Sequence, residues 1–507
     1  MPLPLDCRAD MTYRDHVKSI ALASATVLAA SALAFAPPAS AATLDSYLNQ
    51  QLAWNSCSAG ECASLRAPLD YSDLSRGDIS IAVSRVKHTG PNFQGSLVVN
   101  PGGPGSSGLG FAKDVARDIA PSVAKEFDII GFDPRGVGKS APVTCLTPKQ
   151  TASWLAMDST PDTPREIAAV MKAAGNISTG CLKFSPRISP YVGTPSATQD
   201  LELLRSALGD NKLNWLGFSY GTSLGTSYIE NFPDRVGRFV LDGAVDPSLD
   251  AMQLSLGQAQ GFQRAFQNFA QNCLNQQPCD LGKSRSAITA KVNSLLAKLD
   301  AHPMRTNYGS PLTQSLGMGG IFTAMYSTDM WPLLNDALVE ASKGNGTGLL
   351  ELSWMGSDQT GPNTFGSNIT SAYYAIDCWD APAPPQAAGL ARAAKEWAQS
   401  APIPELSESM SWSNAPCSRW FAHNPTPPKA AHSSTSAPIL IVGTRFDPAT
   451  PYAWAQALNK QLTTSTLLTY EGNGHTAFGS NSRCIDSAVN DYLLRGIVPA
   501  TGKTCPV

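Results

Sequence analysis

The sequence predicts an α/β fold: a mostly parallel sheet with a large, mainly helical cap inserted before its last strands. Three observations lead there. Strand-length apolar runs at residues 96–100, 127–132, 213–217 and 239–243 alternate with helix-compatible segments, the rhythm of strands joined by crossover helices. Near residue 247 that rhythm stops, and a long stretch rich in glutamine, asparagine and serine follows, with helical patterns at 256–269 and 288–299. It resumes with strand-like 438–443 and 465–470 and helical 452–462 and 488–494.

A chain of 507 residues exceeds a usual single core. The expected organisation is a signal segment 1–41, a first part of the α/β core 42–246, a cap 247–435 and the remainder of the core 436–507. A formal charge of −3 and a pI near 6.1, without any run of lysine or arginine, argue against a nucleic-acid partner.

At the N-terminus, Arg8, Arg14 and Lys18 precede an alanine-rich apolar run at 20–35, and Ala39-Ser40-Ala41 supplies the small-x-small pattern cut by a signal peptidase. A basic segment still precedes the run if translation starts at Met11. Cleavage is expected after Ala41, with Ala42 as the second choice. The run is shorter than the about 20 residues a span needs, and Pro37-Pro38 closes it, so it is not read as an anchor. No later stretch is apolar enough to cross a membrane, and the mature protein is expected outside the cytoplasm, secreted or in the periplasm or envelope.

Cysteine usage agrees with export. Setting aside Cys7 in the signal segment, Cys57, Cys62, Cys145, Cys181, Cys273, Cys279, Cys378, Cys417, Cys484 and Cys505 remain, an even number that reads as disulfides. Pairing each with its neighbour gives local loops and is the favoured scheme, although sequence alone does not establish connectivity. There is no C-x-x-C pair and no histidine cluster, so neither a metal nor another cofactor is expected.

In the mature chain, residues 65–71 and 79–83 read as antiparallel edge strands. The buried strand 96–100 ends in Pro101-Gly102-Gly103-Pro104-Gly105-Ser106-Ser107-Gly108, a loop able to turn tightly and present amide hydrogens. After 127–132 comes Asp133-Pro134-Arg135-Gly136-Val137-Gly138-Lys139-Ser140, which fits neither the G-x-G-x-x-G nor the Walker pattern. Asp133 and Arg135 are therefore expected to be structural, paired with each other or with nearby loop backbone. Residues 198–208 carry Leu201, Leu204 and Leu208 as a helical stripe, and Gly209 caps it. The inserted segment holds Trp331, Trp354, Trp379, Trp397, Trp412 and Trp420, an aromatic content that suits a cap over a site.

The chemistry centres on residues 213–225. A short apolar run ends at Gly217, Ser219 stands within G-x-S-x-G, and a helical segment runs to Phe232 before Pro233. Strand, sharp turn and helix in that order push a serine hydroxyl clear of the sheet, while glycine on either side avoids collision between helix and strand. Ser219 is the candidate nucleophile. It needs a base, an acid to orient that base, and amides for the oxyanion. His475, in Gly472-Asn473-Gly474-His475-Thr476, follows a strand directly and is the candidate base. Asp447, in Arg445-Phe446-Asp447-Pro448, ends the preceding strand and is preferred as the acid over Asp242 and Asp246. Loops at the same strand ends are where sites form in open α/β sheets. The oxyanion amides would be those of Tyr220 and Gly103.

Together the Gly-Gly-Pro-Gly loop, the Asp-Pro-Arg-Gly-x-Gly-x-Ser segment, the serine elbow and the Asp447 and His475 segments resemble the α/β-hydrolase fold. They are most similar to the secreted tripeptidyl aminopeptidases of actinomycetes, akin to prolyl aminopeptidases. Asn100-Pro101 stands where prolyl aminopeptidases commonly carry a histidine, and Cys378-x-Asp380 also fits the tripeptidyl branch. The resemblance implies a secreted serine exopeptidase acting on peptides; a carboxylesterase is the alternative, because one triad serves both bonds. An inactive binding protein of this fold would be expected to lack a triad member, and none is missing. A polysaccharide-binding module finds no repeat or aromatic ladder. An exopeptidase must hold a protonated N-terminal amine, and burying that cation requires a carboxylate. Asp377 and Asp380, flanking Trp379, are the leading candidates, with Asp246, Asp250 and Glu351 also available.

Overall fold

The computed structural model describes residues 43–276, 278–480 and 482–507. The signal segment, its cleavage site and Cys7 lie outside them. The strands are β1 (Asn55–Cys57), β2 (Gly60–Pro68), β3 (Asp78–Val86), β4 (Ser96–Asn100), β5 (Asp128–Phe132), β6 (Leu213–Phe218), β7 (Val236–Asp242), β8 (Gln359–Gly361), β9 (Thr364–Phe365), β10 (Ile439–Phe446), β11 (Ser465–Asn473) and β12 (Thr504–Cys505). Ten of them form one sheet in the order β1-β2-β3-β5-β4-β6-β7-β10-β11-β12, and β8 and β9 make a small separate hairpin. Pairings up to β3–β5 are antiparallel, and from β5–β4 onward all are parallel.

Every residue of β4 and β5 is buried, as expected of parallel strands covered on both faces. Alternation along the strands sorts their side chains into two cores. Val98, Ile130, Trp215, Phe239 and Ile441 enter one, under Leu201 and Leu204 of the helix Thr194–Leu208 and Leu224 and Tyr228 of the helix Tyr220–Asn231. Leu97, Val99, Leu216, Val240 and Val442 enter the other, under Ala112 of Gly108–Asp114 and Val489 and Tyr492 of Arg483–Arg495. Gly209 ends its helix in the left-handed conformation, φ 79°.

Between β7 and β10, the helices Ala251–Asn275, Arg285–Ala301, Gln314–Met325, Trp331–Ser342 and Thr347–Gly356 enclose a core of their own, including Phe262, Phe266, Leu296, Ile321 and Leu334. A helix from outside 247–435 joins this region. Pro164–Phe184 packs Val170, Met171 and Ala174 against Leu390, Ala394 and Trp412 of the inserted segment. Its start is a capping box in which Thr163 and Glu166 bond each other's backbone, a signal present in the sequence and not used above.

The disulfides are Cys57–Cys62, Cys145–Cys181, Cys273–Cys279, Cys378–Cys417 and Cys484–Cys505, neighbour with neighbour as favoured. They fit an oxidising, extracellular setting. Among the described residues no helix is long and apolar enough to cross a membrane.

Asp133 and Arg135 do not pair with each other. The fully buried Arg135 forks onto Asp200, with Nε 2.7 Å from Oδ2 and Nη2 2.6 Å from Oδ1, and also donates to the carbonyls of Pro68, Leu69 and Tyr191. A guanidinium presents more donors than one carboxylate accepts, and Asp200 on the Thr194–Leu208 helix takes two of them as a fork. Asp133 instead accepts from Ser107 Oγ and the amides of Gly108 and Lys139, fixing the glycine loop. Arg135→Ala strands the Asp200 carboxylate in the core and is expected to cost about 3–5 kcal/mol of stability, read from the denaturant midpoint.

Candidate active site

Strand β6 ends at Phe218 and a helix begins at Tyr220, leaving Ser219 alone at the turn with φ 54° and ψ −123°. Such a conformation costs a non-glycine residue on the order of 1–3 kcal/mol and persists only where its surroundings impose it. Here Ser219 N–H donates to the Asp242 carbonyl at 2.9 Å, and its own carbonyl accepts from Thr222 N–H at 2.7 Å. A Cβ on Gly217 would lie 2.4 Å from the Gly221 carbonyl oxygen, which also accepts from Trp215 Nε1 at 3.1 Å. Gly217 leaves room for the helix to fold back, and a Cβ on Gly221 would in turn lie 2.9 Å from Asn100 Oδ1 at the end of β4.

Asp447 and His475 follow β10 and β11. His475 Nδ1 is 3.0 Å from both carboxylate oxygens of Asp447. That carboxylate is fully buried and also accepts from the amides of Ala449, Thr450 and Thr476 and the Thr450 hydroxyl. Burial opposes the charged imidazolium, yet Asp447 and, more weakly, Asp242 outweigh it and hold the His475 pKa above its ordinary value. The imidazole stands beside the elbow: a Cβ on Gly243 would be 3.2 Å from His475 Cε1, and the neighbouring Asp242 is the acceptor for Ser219 N–H. From the inserted segment, Tyr326 accepts His475 N–H on its carbonyl at 2.8 Å and sets its ring edge-on to the imidazole at 5.2 Å.

The rival acids are spent elsewhere. Asp242 accepts from Ala477 and Phe478 amides, and Asp246 from Ser248 and Gln461. In the glycine loop, Gly102 gives its amide to Asn100 Oδ1 at 2.9 Å, and a Cβ on it would lie 3.1 Å from Tyr220 N. Gly103 lines the same cavity as Ser219 and Tyr220. A hydroxyl on a strained turn, an imidazole oriented by a buried carboxylate and a glycine loop against the elbow are the parts of acyl transfer.

Residues 402–505 match the family model for the TAP-like proteins. The serine protease Hip1 of Mycobacterium tuberculosis is 34% identical over 481 residues, covering 90% of this chain and 91% of its own. The tripeptidyl aminopeptidase of Streptomyces lividans is 32% identical over 460 residues, 89% of this chain and 84% of its own. The carboxylesterase B of Mycobacterium tuberculosis is 33% identical over 528 residues, 98% and 99%. The chain belongs to the tripeptidyl-aminopeptidase-like α/β-hydrolases. It is a serine hydrolase.

In this TAP-like chain the elbow opens into a cavity of about 750 Å³. Trp154, Leu155, Met157, Met318, Phe322 and Trp412 give it an apolar wall. Its described charged lining comprises Asp158, Glu230, Asp246, Asp377 and Asp380 against Lys429, which lies 3.7 Å from Glu230. Asp377 and Asp380 share a face of the helix Ile369–Asp380. Asp380 accepts from the amide and hydroxyl of Thr194 at 2.7 and 2.6 Å, and burial first, with the nearby Asp377 adding, pushes its pKa to about 7. Burial pushes Asp377 to about 6; beside it Cys417 Sγ, a disulfide sulfur with no hydrogen to give, lies 3.8 Å away. Asp250 and Glu351 are not brought in: the first caps the Ala251–Asn275 helix and the second accepts from Tyr308. Among the described residues no group of three or more potential ligands could hold a metal ion.

Sequence reasoning missed Thr194, Tyr326 and Thr450. For Thr450 a signal existed, since a residue three after an aspartate in an Asp-Pro turn is placed to give it both amide and hydroxyl. For Thr194 and Tyr326 there was none.

Proposed function

We propose that this is an exported serine peptidase that removes short peptides, tripeptides foremost, from free N-termini through an acyl-enzyme on Ser219. His475 takes the Ser219 proton as Oγ attacks the scissile carbonyl, and the amides of Tyr220 and Gly103 receive the developing oxyanion. The imidazolium then protonates the departing amine, and water attacks the ester by the same route. Asp447 holds the tautomer that leaves Nε2 free to act. Segment 247–435 serves as the cap, and the N-terminal signal segment directs export.

The observation that carries the exopeptidase reading is the Asp377–Asp380 pair on the wall of the Ser219 cavity, which among the described residues forms no ion pair with a cation, Lys429 lying against Glu230. Tyr220 bonds through its hydroxyl to Thr194 Oγ1, and Thr194 Oγ1 to Asp380. Asp380 is thus linked to the elbow through one tyrosine side chain and two hydrogen bonds. The relatives with peptidase names point the same way. The esterase reading is favoured by the relative named carboxylesterase B and by the apolar cavity wall.

Ser219→Ala is expected to lower kcat by about 10⁴-fold or more with the fold retained, and residual turnover above about one per cent would remove Ser219 as nucleophile. Asp377→Asn is expected to raise KM for free-amino tripeptidyl amides by about 10² while sparing nitrophenyl esters. Equal losses on both substrates would assign Asp377 to folding, and efficient cleavage of N-blocked peptides by the unaltered protein would favour the esterase.

The amine anchor also fixes a pH window. Asp377 and Asp380 become ionised only as pH rises through about 6 and 7, and a peptide α-amine is lost above about 8. For free-amino peptides kcat/KM should fall on both sides, with an acid limb steeper than the single protonation of His475 gives. Nitrophenyl esters should lack the alkaline limb; parallel profiles for the two substrates would contradict the anchor.

A further inference from the structure

We propose that Asp242 is a positioning residue that ties the nucleophile elbow to the histidine loop and places a second negative charge beside His475. This rests on the reading of His475 as general base. Asp242 ends β7 and is fully buried. Its carbonyl accepts Ser219 N–H at 2.9 Å. Its carboxylate accepts Ala477 N–H at 3.1 and 3.0 Å and Phe478 N–H at 2.8 Å, from the residues just past His475. The next residue, Gly243, donates to the Val442 carbonyl at 3.1 Å and so registers β7 against β10, the strand that leads to Asp447. One dipeptide at a strand end is therefore the common reference for nucleophile, acid and base.

The loop needs such a hold. Thr476 has φ 67°, a conformation that a β-branched residue seldom adopts. On one side its amide is held by Asp447 at 3.2 Å, and on the other Ala477 N–H is held by Asp242. Two buried carboxylates thus clamp a strained residue directly behind the imidazole. Each of these hydrogen bonds to the Asp242 carboxylate comes from a donor, as suits an anion, and those amides oppose a burial that pushes its pKa to about 7. The titratable groups facing His475 are Asp447, Asp242 and, from the inserted segment, Tyr326. Once ionised above about pH 7, Asp242 stabilises the imidazolium that forms as Ser219 is deprotonated.

Asp242→Asn keeps the shape but offers one acceptor in place of two and no charge. It is expected to lower kcat on the order of 10²-fold, equally for free-amino peptides and nitrophenyl esters, with KM little changed. The acid limb of its kcat/KM profile should move to lower pH, because His475 loses one of two anions. A merely structural residue would lower the amount of folded enzyme without moving that limb. An unmoved limb, or an unchanged kcat, overturns the proposal. His475→Ala is assayed alongside: if it stays active, the general-base reading itself fails, whereas an inactive His475→Ala beside an unshifted Asp242→Asn defeats only the present inference. Should Asp242→Asn not fold, the same readouts apply to Asp242→Asn combined with Thr476→Gly, which relieves the left-handed strain.

Discussion

The close approach of β6 to the helix that follows it is the constraint on which the site depends. Gly217 and Gly221 touch so nearly that a Cβ on the first would meet the carbonyl of the second at 2.4 Å, and Trp215 locks that carbonyl from below. Ser219 is left in a left-handed turn that no local preference favours. The backbone strain is held by bonds to neighbouring strand ends, so the hydroxyl is presented by the sheet as a whole. A hydroxyl positioned this way needs little reorganisation, which is where electrostatic preorganisation gains its effect.

Around that turn, two buried aspartates and a half-buried one show how hydrogen-bond supply assigns roles to one residue type. Asp447 collects backbone amides, a hydroxyl and the imidazole, and its charge is fully used in orienting His475. Asp242 has backbone amides only, enough to hold a loop but not to cancel its desolvation. Asp377 has desolvation without a donor to offset it, which leaves its carboxylate able to gain most from an incoming cation. The gradient from satisfied to unsatisfied runs from the catalytic core toward the cavity wall.

The same gradient explains what was legible in the sequence. The positions of the core strands, the elbow, Asp447, His475 and the favoured disulfide pairing all rest on signals a few residues long: an apolar run, a glycine spacing, a turn after a strand. These are fixed by short-range sterics, and the fold leaves them where the sequence puts them. Arg135 is structural as expected, but its acidic partner was not legible, because Asp200 lies far along the chain and a guanidinium takes the fork that packing offers. Thr194, Tyr326 and the helix Pro164–Phe184 were missed for the same reason, since their roles arise only when the inserted segment docks. Even there the capping box at Thr163 marked the helix, although not its destination.

That difference bears on how chemistry and specificity are divided in this fold. The amide of Tyr220 directly follows Ser219 at the elbow, while its hydroxyl reaches Thr194, which in turn holds Asp380 of the inserted segment. Beside this chain of contacts the ring of Trp379 presses on Gly193 so closely that a Cβ there would overlap it at 2.0 Å. A glycine is required at that seam for a reason unrelated to backbone freedom: the ring of Trp379 must lie flush on the start of the Thr194–Leu208 helix. The distance from Ser219 to the Asp377–Asp380 pair is therefore set by helix packing across the seam and not by a pliable loop. A ruler of that kind is stiff, because shortening it would require an aromatic ring to enter a space with no room for a methyl group. Change in the inserted segment can then remodel the apolar wall and the substrates it admits, while the elbow and its charge partners stay where the sheet holds them.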